Sequence, residues 1–535
     1  MNTPMNSIEK QIDIICHNCD SVSEGELLSI KARQKKVREA LQKLNINIRE
    51  DEEPPVIAIM GSGGGLRAMV GLLGVLAELA KEGILDAITY ICGTSGSTWC
   101  MSSLYDNENW SSCMQEMERQ IADRLLEPTN NWEKTWKKLN QTFSKEMFSL
   151  TNFWAYVFIH KVLNEINENT LSSHQASCES GKNPYPVYSA VEEGSLHSHN
   201  PGAWFEFTPH VAGFPAYKTY VKTEQLGSKF KDGKLVKNHP EWDLCYLQGM
   251  WGSALADSVS VKEFIKDKIQ GIFPKFTEEG SLNNASLLPP NDNEESLDSE
   301  GICVCHGCNK MGTFLSSQDL VKMTDKELEV LLEMLLNDFQ KISSCEKVQL
   351  VLNMLKCVIQ WQWGTTNNFL YEWSSNIPDD VYKKEFLSLI DAGLEINSAY
   401  PLMLPPNRKV DLMLSFDYSE TEPFSTLKST DEYCKRNGIP FPEIRIDDAE
   451  SEAPSHSCYM FEAHGTGAPP VLHFPLFNNQ NCADKVQEFR KKYATINISY
   501  DELQLKELLT LTKQNVQLNK NLILEKFKQV SKCNS

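Results

Sequence analysis

Apolar residues along the chain fall into two rhythms. Short continuous runs at Val56–Met60, Ile88–Cys92, Phe386–Ile390 and Val410–Phe416 have the length and composition of buried strands. Longer stretches repeat at helical spacing. Val70, Leu73, Leu76 and Leu79 mark one side of a helix over Ala68–Glu82, closed by Gly83. Ile30, Val37, Leu41 and Leu44 mark an amphipathic helix over Ser29–Ile46, whose Lys and Arg residues form a basic outer face. Met323–Ile359 and Tyr500–Lys532 also read as helical. The order strand, helix, strand over Val56–Cys92 predicts a βαβ crossover with both strands ending on one edge of a sheet.

Two segments interrupt these rhythms. Asp51–Pro55 reads as a linker between an N-terminal helical extension, residues 1–50, and a catalytic body, residues 51–500. Phe276–Asn309 holds seven acidic residues and no Lys or Arg, and predicts a flexible acidic insertion over about 276–312. Its end carries Cys303, Cys305 and Cys308, read as plain thiols rather than a metal cluster because a fourth ligand at zinc spacing is missing. Cys16 and Cys19 are read the same way. The aromatic stretches Phe148–Tyr156 and Trp204–Phe207 read as core, or as walls of an apolar cleft.

The chemistry concentrates where strands end. Gly93-Thr94-Ser95-Gly96-Ser97 joins a strand to a helix with no room for a loop, the pattern that forces a serine into a strained turn above a sheet edge. Ser97 stands where the pattern has glycine. Gly61–Arg67 (GSGGGLR) lies between strand and helix in the same way. Leu66 breaks the dinucleotide fingerprint, and no Gly-Lys-Ser/Thr follows, so nucleotide phosphate is not its expected ligand. The remaining reading is an oxyanion hole made by the N–H groups of Gly64 and Gly65. Asp391 ends the strand Phe386–Ile390, where a carboxylate reaches the carboxyl edge of a sheet.

Composition narrows the class. Of 535 residues, 41% are hydrophobic and 23% charged, as in ordinary globular proteins. A net charge of −20 argues against nucleic acid as a partner. No apolar run reaches transmembrane length, and the first residues lack a signal-peptide pattern, so the sixteen cysteines are expected to be reduced. The glycosylation triplets at Asn140, Asn284 and Asn497 are then expected to be unmodified.

GSGGGLR, GTSGSTW (Gly93–Trp99), Asp391-Ala392-Gly393 and YPLMLPPNRKVDLMLSFDYS (Tyr400–Ser419) together resemble the cytosolic, group IV phospholipase A2 family. WFEFTPHVAGFPA (Trp204–Ala216), Gly227–Phe230 and QWGTTNNFLY (Gln362–Tyr371) extend the likeness, which runs from about residue 30 to the C-terminus. With no calcium-binding C2 domain before the catalytic part, the chain is most like the gamma-type members. The resemblance implies a patatin-related, three-layer α/β/α fold with a mixed, mainly parallel sheet and a helical cap. It implies Ser95 as nucleophile, Asp391 as its proton acceptor, Gly64 and Gly65 as oxyanion hole, and Arg67 and Arg408 as phosphate ligands. None of the eleven histidines sits in a comparable motif, so an aspartate must activate serine directly.

The expected activity is calcium-independent hydrolysis of acyl esters of glycerophospholipids, with lysophospholipase and transacylase side activities and neither cofactor nor metal. The rivals are a lysophospholipase with little sn-2 preference and a silent lipid-binding scaffold. The expected setting is the cytoplasm, peripheral to intracellular membranes; oligomeric state is left open. Gamma-type relatives suggest a prenylated C-terminus, but Cys533 falls one place too late for a prenylation box. Residues 501–535 offer a substitute: a helix with Leu505, Leu509, Val516, Ile523 and Val530 on one face and an excess of lysine. That face either packs on the catalytic body or lies in a membrane interface.

Overall fold

The computed structural model describes residues 14–16, 21–127, 132–142, 147–196, 198, 200–255, 323, 325–339, 346–360, 362–373, 377–404, 406–462 and 467–533. The acidic insertion, Cys303–Cys308 and Cys19 lie outside them. The chain forms two compact units: residues 1–129, 158–254 and 366–535, and residues 130–157 and 255–365.

The first unit is built on a mixed sheet. In chain order, its first strands and helices are β1 (Ile15–Cys16), α1 (Glu24–Lys43), β2 (Ile57–Gly61), α2 (Gly65–Lys81), β3 (Tyr90–Gly93), α3 (Gly96–Tyr105) and α4 (Met114–Leu126). Strands β4 (Tyr185–Glu192), β5 (Trp204–Phe207), β6 (Val211–Phe214) and β7 (Thr219–Lys222) follow, then a separate hairpin, β8 (Lys229–Lys231) and β9 (Lys234–Lys237). The remaining strands are β10 (Thr365–Asn367), β11 (Phe386–Asp391), β12 (Leu412–Asp417), β13 (Tyr459–Phe461) and β14 (Val471–Pro475). The sheet runs β1-β7-β6-β5-β4-β3-β2-β12-β14-β13, with β11 beside β4 and β10 beside β11.

Five neighbouring strands, β4-β3-β2-β12-β14, are mutually parallel. Every residue in them is buried, so both sheet faces are covered, which explains why their sequences read as unbroken apolar runs. The pairings β1–β7, β4 through β7, β4–β11 and β13–β14 are antiparallel. The aromatic stretch Trp204–Phe207 is one of these strands, and Phe205 packs against Phe207, Phe214 and Phe369 within 6.4 Å between ring centres.

Helix α2 is apolar nearly all round, and 15 of its 17 residues are buried. Part of its cover is the C-terminal helix Glu502–Cys533, which buries Leu505, Leu509, Val516, Ile523, Phe527 and Val530. A Cβ on Gly74 would lie 2.1 Å from Thr512 Oγ1, so glycine permits this close approach. The lysines of this helix are largely spoken for: Lys513 pairs with Glu118, Lys520 with Glu82, Lys526 with Glu462 and Lys506 with Glu502. Of the two readings of residues 501–535, packing on the catalytic body is therefore the one observed.

Helix α1 also departs from the expectation of a solvated basic face. Arg33 is buried and donates to the carbonyls of Ile88 (2.9 Å), Leu85 (2.9 Å), Gly181 (3.2 Å) and Lys182 (2.8 Å). One planar guanidinium thus closes two loop ends against the sheet.

In the second unit, the described helices are Trp132–Thr142, Leu150–Phe153, Asp325–Phe339 and Glu346–Gln360. Thr151 Oγ1 accepts the Gly364 N–H at 2.7 Å, and Trp154 meets Trp363 edge-on at 6.1 Å.

Candidate active site

The register of the sheet decides which chemistry-bearing residues meet. Gly93, at the end of β3, pairs with Tyr188 of β4. Beyond that point β3 leaves the sheet through Ser95, and β11 takes the same edge of β4 from the opposite direction, with Asp391 opposite Ala190. The two strands therefore run toward one another, and their ends bring Ser95 and Asp391 together. Ser95 holds φ 51° and ψ −123°, a region L-residues avoid, and is 5% exposed. Helix α3 begins at the next residue, as the elbow pattern predicts.

Asp391 is fully buried. Its carboxylate lies beside the Ser95 hydroxyl and accepts hydrogen bonds from the N–H groups of Gly393 (2.8 Å) and Ala254 (3.3 Å). Burial pushes its pKa up to about 6, against the pull of the bonds from Gly393, Ser95 and Ala254. The result is a carboxylate both ionised near neutral pH and basic enough to draw the serine proton. Its own N–H donates to Ser253 Oγ at 3.1 Å.

The glycine loop lies against the elbow. A Cβ on Gly96 would fall 1.9 Å from the Gly65 carbonyl oxygen, and one on Gly63 would fall 3.1 Å from Ser95 Cβ. Gly64 and Gly65 have φ of 147° and 58°, and Gly64 caps α2, so their N–H groups belong to the helix start, which has no intrahelical acceptor. The dipole of α2 adds positive potential at the same place. Ser97, standing in for the usual glycine, donates to the Ser62 carbonyl at 2.6 Å and ties the two loops together.

Asn397 was not singled out by sequence. Its side chain donates to Ser419 Oγ (2.8 Å) and to the Gly63 carbonyl (3.3 Å), and its carbonyl accepts the Gly63 N–H (2.8 Å). It joins the Asp391 loop to the glycine loop and to the end of β12, and is a positioning residue for both. An isolated asparagine in a loop carries no pattern that reveals this. At the same sheet end Asp417 is also buried, and its pKa is raised to about 7 by that burial.

The two arginines stand elsewhere than expected. Arg67 is buried and donates to the carbonyls of Tyr418 (2.7 Å) and Tyr493 and to Thr495 Oγ1 (3.1 Å). Arg408 places all its N–H groups on Glu26, Glu206 and the Leu402 carbonyl, at 2.6–3.1 Å. Both guanidiniums brace the interior of the protein, Arg67 through backbone carbonyls and Arg408 through two carboxylates.

A family model described as the lysophospholipase catalytic domain matches residues 57–466, which spans both strand ends and both loops of the site. The sequence is 36% identical over 95% of this chain to cytosolic phospholipase A2 gamma of Mus musculus, covering 92% of that protein. The Homo sapiens protein of the same name is 36% identical, with 95% of each chain covered. The chain belongs to the cytosolic phospholipase A2 family. It is an enzyme of the phospholipase A2 and lysophospholipase class, a carboxylic ester hydrolase. In structure it is similar to human GIVD cytosolic phospholipase A2, with a TM-score of 0.70 over 98% of this chain and 69% of that one, at 24% identity. Among the described residues, no helix is long and apolar enough to cross a membrane.

Proposed function

We propose that this family member hydrolyses acyl esters of glycerophospholipids through a Ser95–Asp391 dyad, without calcium. The observation that carries the reading is that the strand ends bring the Ser95 hydroxyl beside a buried carboxylate held near pKa 6, next to the helix-start N–H groups of Gly64 and Gly65. Asp391 takes the Ser95 proton as Oγ attacks the ester carbonyl. The carbonyl oxygen gains the negative charge and is held by the Gly64 and Gly65 N–H groups. Collapse breaks the ester C–O bond, and the proton on Asp391 goes to the departing glycerol oxygen, leaving acyl-Ser95. Water, deprotonated by Asp391, then releases the fatty acid and restores the serine. A second alcohol in place of water gives transacylation, and a lysophospholipid can supply the acyl group in the first step. Calcium has no task in this scheme, because backbone dipoles stabilise the oxyanion.

Contact with lipid is proposed to be peripheral. With the apolar face of the C-terminal helix buried, the better supported contact is Ile496 (80% exposed) and Leu503 (79% exposed), with Ile498 between them. The loop that carries Ile496 and Ile498 and leads to Leu503, at the start of the C-terminal helix, is fastened through Thr495 to Arg67, in the helix that the glycine loop begins. Mixed-acyl phosphatidylcholine, with both released acids identified, tests the activity. Exclusive release from a lysophospholipid would favour the lysophospholipase reading, and no release from either would favour a silent lipid-binding protein.

A further inference from the structure

The first unit contains a cavity of about 520 Å³ whose lining includes none of Ser95, Asp391, Gly64 or Gly65. Its size is that of ligand pockets, about 300–1,000 Å³. Trp204, Met403, Tyr433 and Ile439 are among its apolar walls. Six of its eighteen lining residues are prolines, whose fixed φ keeps the walls in shape without a ligand. Among the described residues, the charged ones in its lining are Lys218 and Lys409, with no Asp or Glu. On a chain with a net charge of −20, an apolar groove with cations alone is a local reversal of sign.

Two further observations point to a ligand. Lys218 and Lys409 have φ of 52° and 47°, the left-handed region that glycine and asparagine fill without penalty. Both line the groove, Lys218 as the left-handed cap of the turn Pro215–Tyr217. Trp204, 1% exposed, keeps an indole N–H with no acceptor among the described residues, a deficit that a ligand oxygen would repair.

We propose that this groove binds a free long-chain fatty acid, its chain along the apolar walls and its carboxylate at Lys218 and Lys409. Two lysines in the lining repel a choline or ethanolamine cation and attract a carboxylate, which favours a fatty acid over a zwitterionic lysolipid. Fatty acid is also the product of the hydrolysis proposed above, and the choice of ligand leans on that reading to this extent. A site for the product apart from the reacting serine would make the enzyme responsive to fatty acid already released.

The test is a calorimetric titration of the whole protein with monomeric oleate, after Ser95 has been blocked by an acyl fluorophosphonate. The comparison is a Lys218→Gly, Lys409→Gly double variant, which removes both charges while suiting the backbone, so its melting temperature should be unchanged or raised. We expect one oleate bound per blocked protein, weakened about tenfold or more in the double variant. A second variant, Ala216→Trp at an exposed lining position, should narrow the groove and weaken binding as well. Absence of binding to the blocked protein, or equal binding by the double variant, would overturn the proposal. Equally tight binding of lysophosphatidylcholine would overturn the choice of ligand. Failure of the probe to attach to Ser95 would count against the acyl-serine reading, and the lysine-to-glycine comparison would still decide the groove.

Discussion

Asp391→Asn separates catalysis from stability in a way that follows from burial alone. An ordinary aspartate titrates near 3.8, and Asp391 near 6. At about 1.4 kcal/mol per pH unit, keeping this carboxylate ionised costs the fold about 3 kcal/mol once the pH is well above 6. The sign is that of a raised acid. The native state holds its proton more tightly than the unfolded chain, so the contribution is present below pH 4 and is lost as pH rises through about 6. Asparagine carries no charge and escapes this loss. It keeps an acceptor for the Gly393 N–H but turns its amide toward the Ala254 N–H, which returns about 1–2 kcal/mol. That last cost is the same at both pH values, so the variant should gain about 2 kcal/mol on wild type between pH 4.5 and 7.5, while turnover falls by about 100-fold to 10,000-fold. Denaturant midpoints of both proteins at the two pH values give the difference, in which Asp417 and every other titrating group cancel. Parallel pH dependence in the two proteins would refute the buried-base argument, as would near-normal turnover in the variant.

Other outcomes follow from the same geometry. The wild-type kcat/KM should rise with pH and level off above an apparent pKa of about 6, since Asp391 must be ionised to accept a proton; a profile flat from pH 5 to 8 would remove Asp391 as the base. Gly96→Ala puts a methyl group 1.9 Å from the Gly65 carbonyl oxygen, and the displaced oxyanion loop should lower kcat by about 100-fold; steady-state kinetics on a soluble ester would show it. Glu26→Gln leaves Arg408 underpaired in the interior and should destabilise the protein by about 3–5 kcal/mol without a head-group-selective change in KM. Activity on dispersed lipid should persist in chelator, and a loss restored by added calcium would end the calcium-independent scheme.

What the sequence made legible was local. The apolar runs of β2, β3 and β12 announce themselves because strands buried on both faces must be apolar throughout. The elbow at Ser95 is visible because a strained turn demands small residues at fixed places. The partners of the arginines are what the sequence did not show. Arg67 at a helix start beside a glycine loop suits a phosphate, but the same guanidinium suits the Tyr418 and Tyr493 carbonyls, which approach only in the folded chain. Arg408 and Glu26 are partners 382 residues apart, and Arg33 reaches Gly181 and Lys182 across 148 and 149 positions. No periodicity encodes such pairings. Asn397 escaped notice for the same reason. Strand β5 was legible only as core or cleft wall, because its aromatic residues are buried on both faces and mask the alternation that a half-exposed strand would show.

The central claim is that Ser95 carries the acyl group. Quenching the enzyme in acid during turnover of a labelled phospholipid, then mapping the modified peptide by mass, tests it directly. The account predicts one fatty acyl adduct on the peptide containing Ser95, absent in Ser95→Ala and formed far more slowly in Asp391→Asn. Acylation of a different residue, or full turnover by Ser95→Ala, would contradict it.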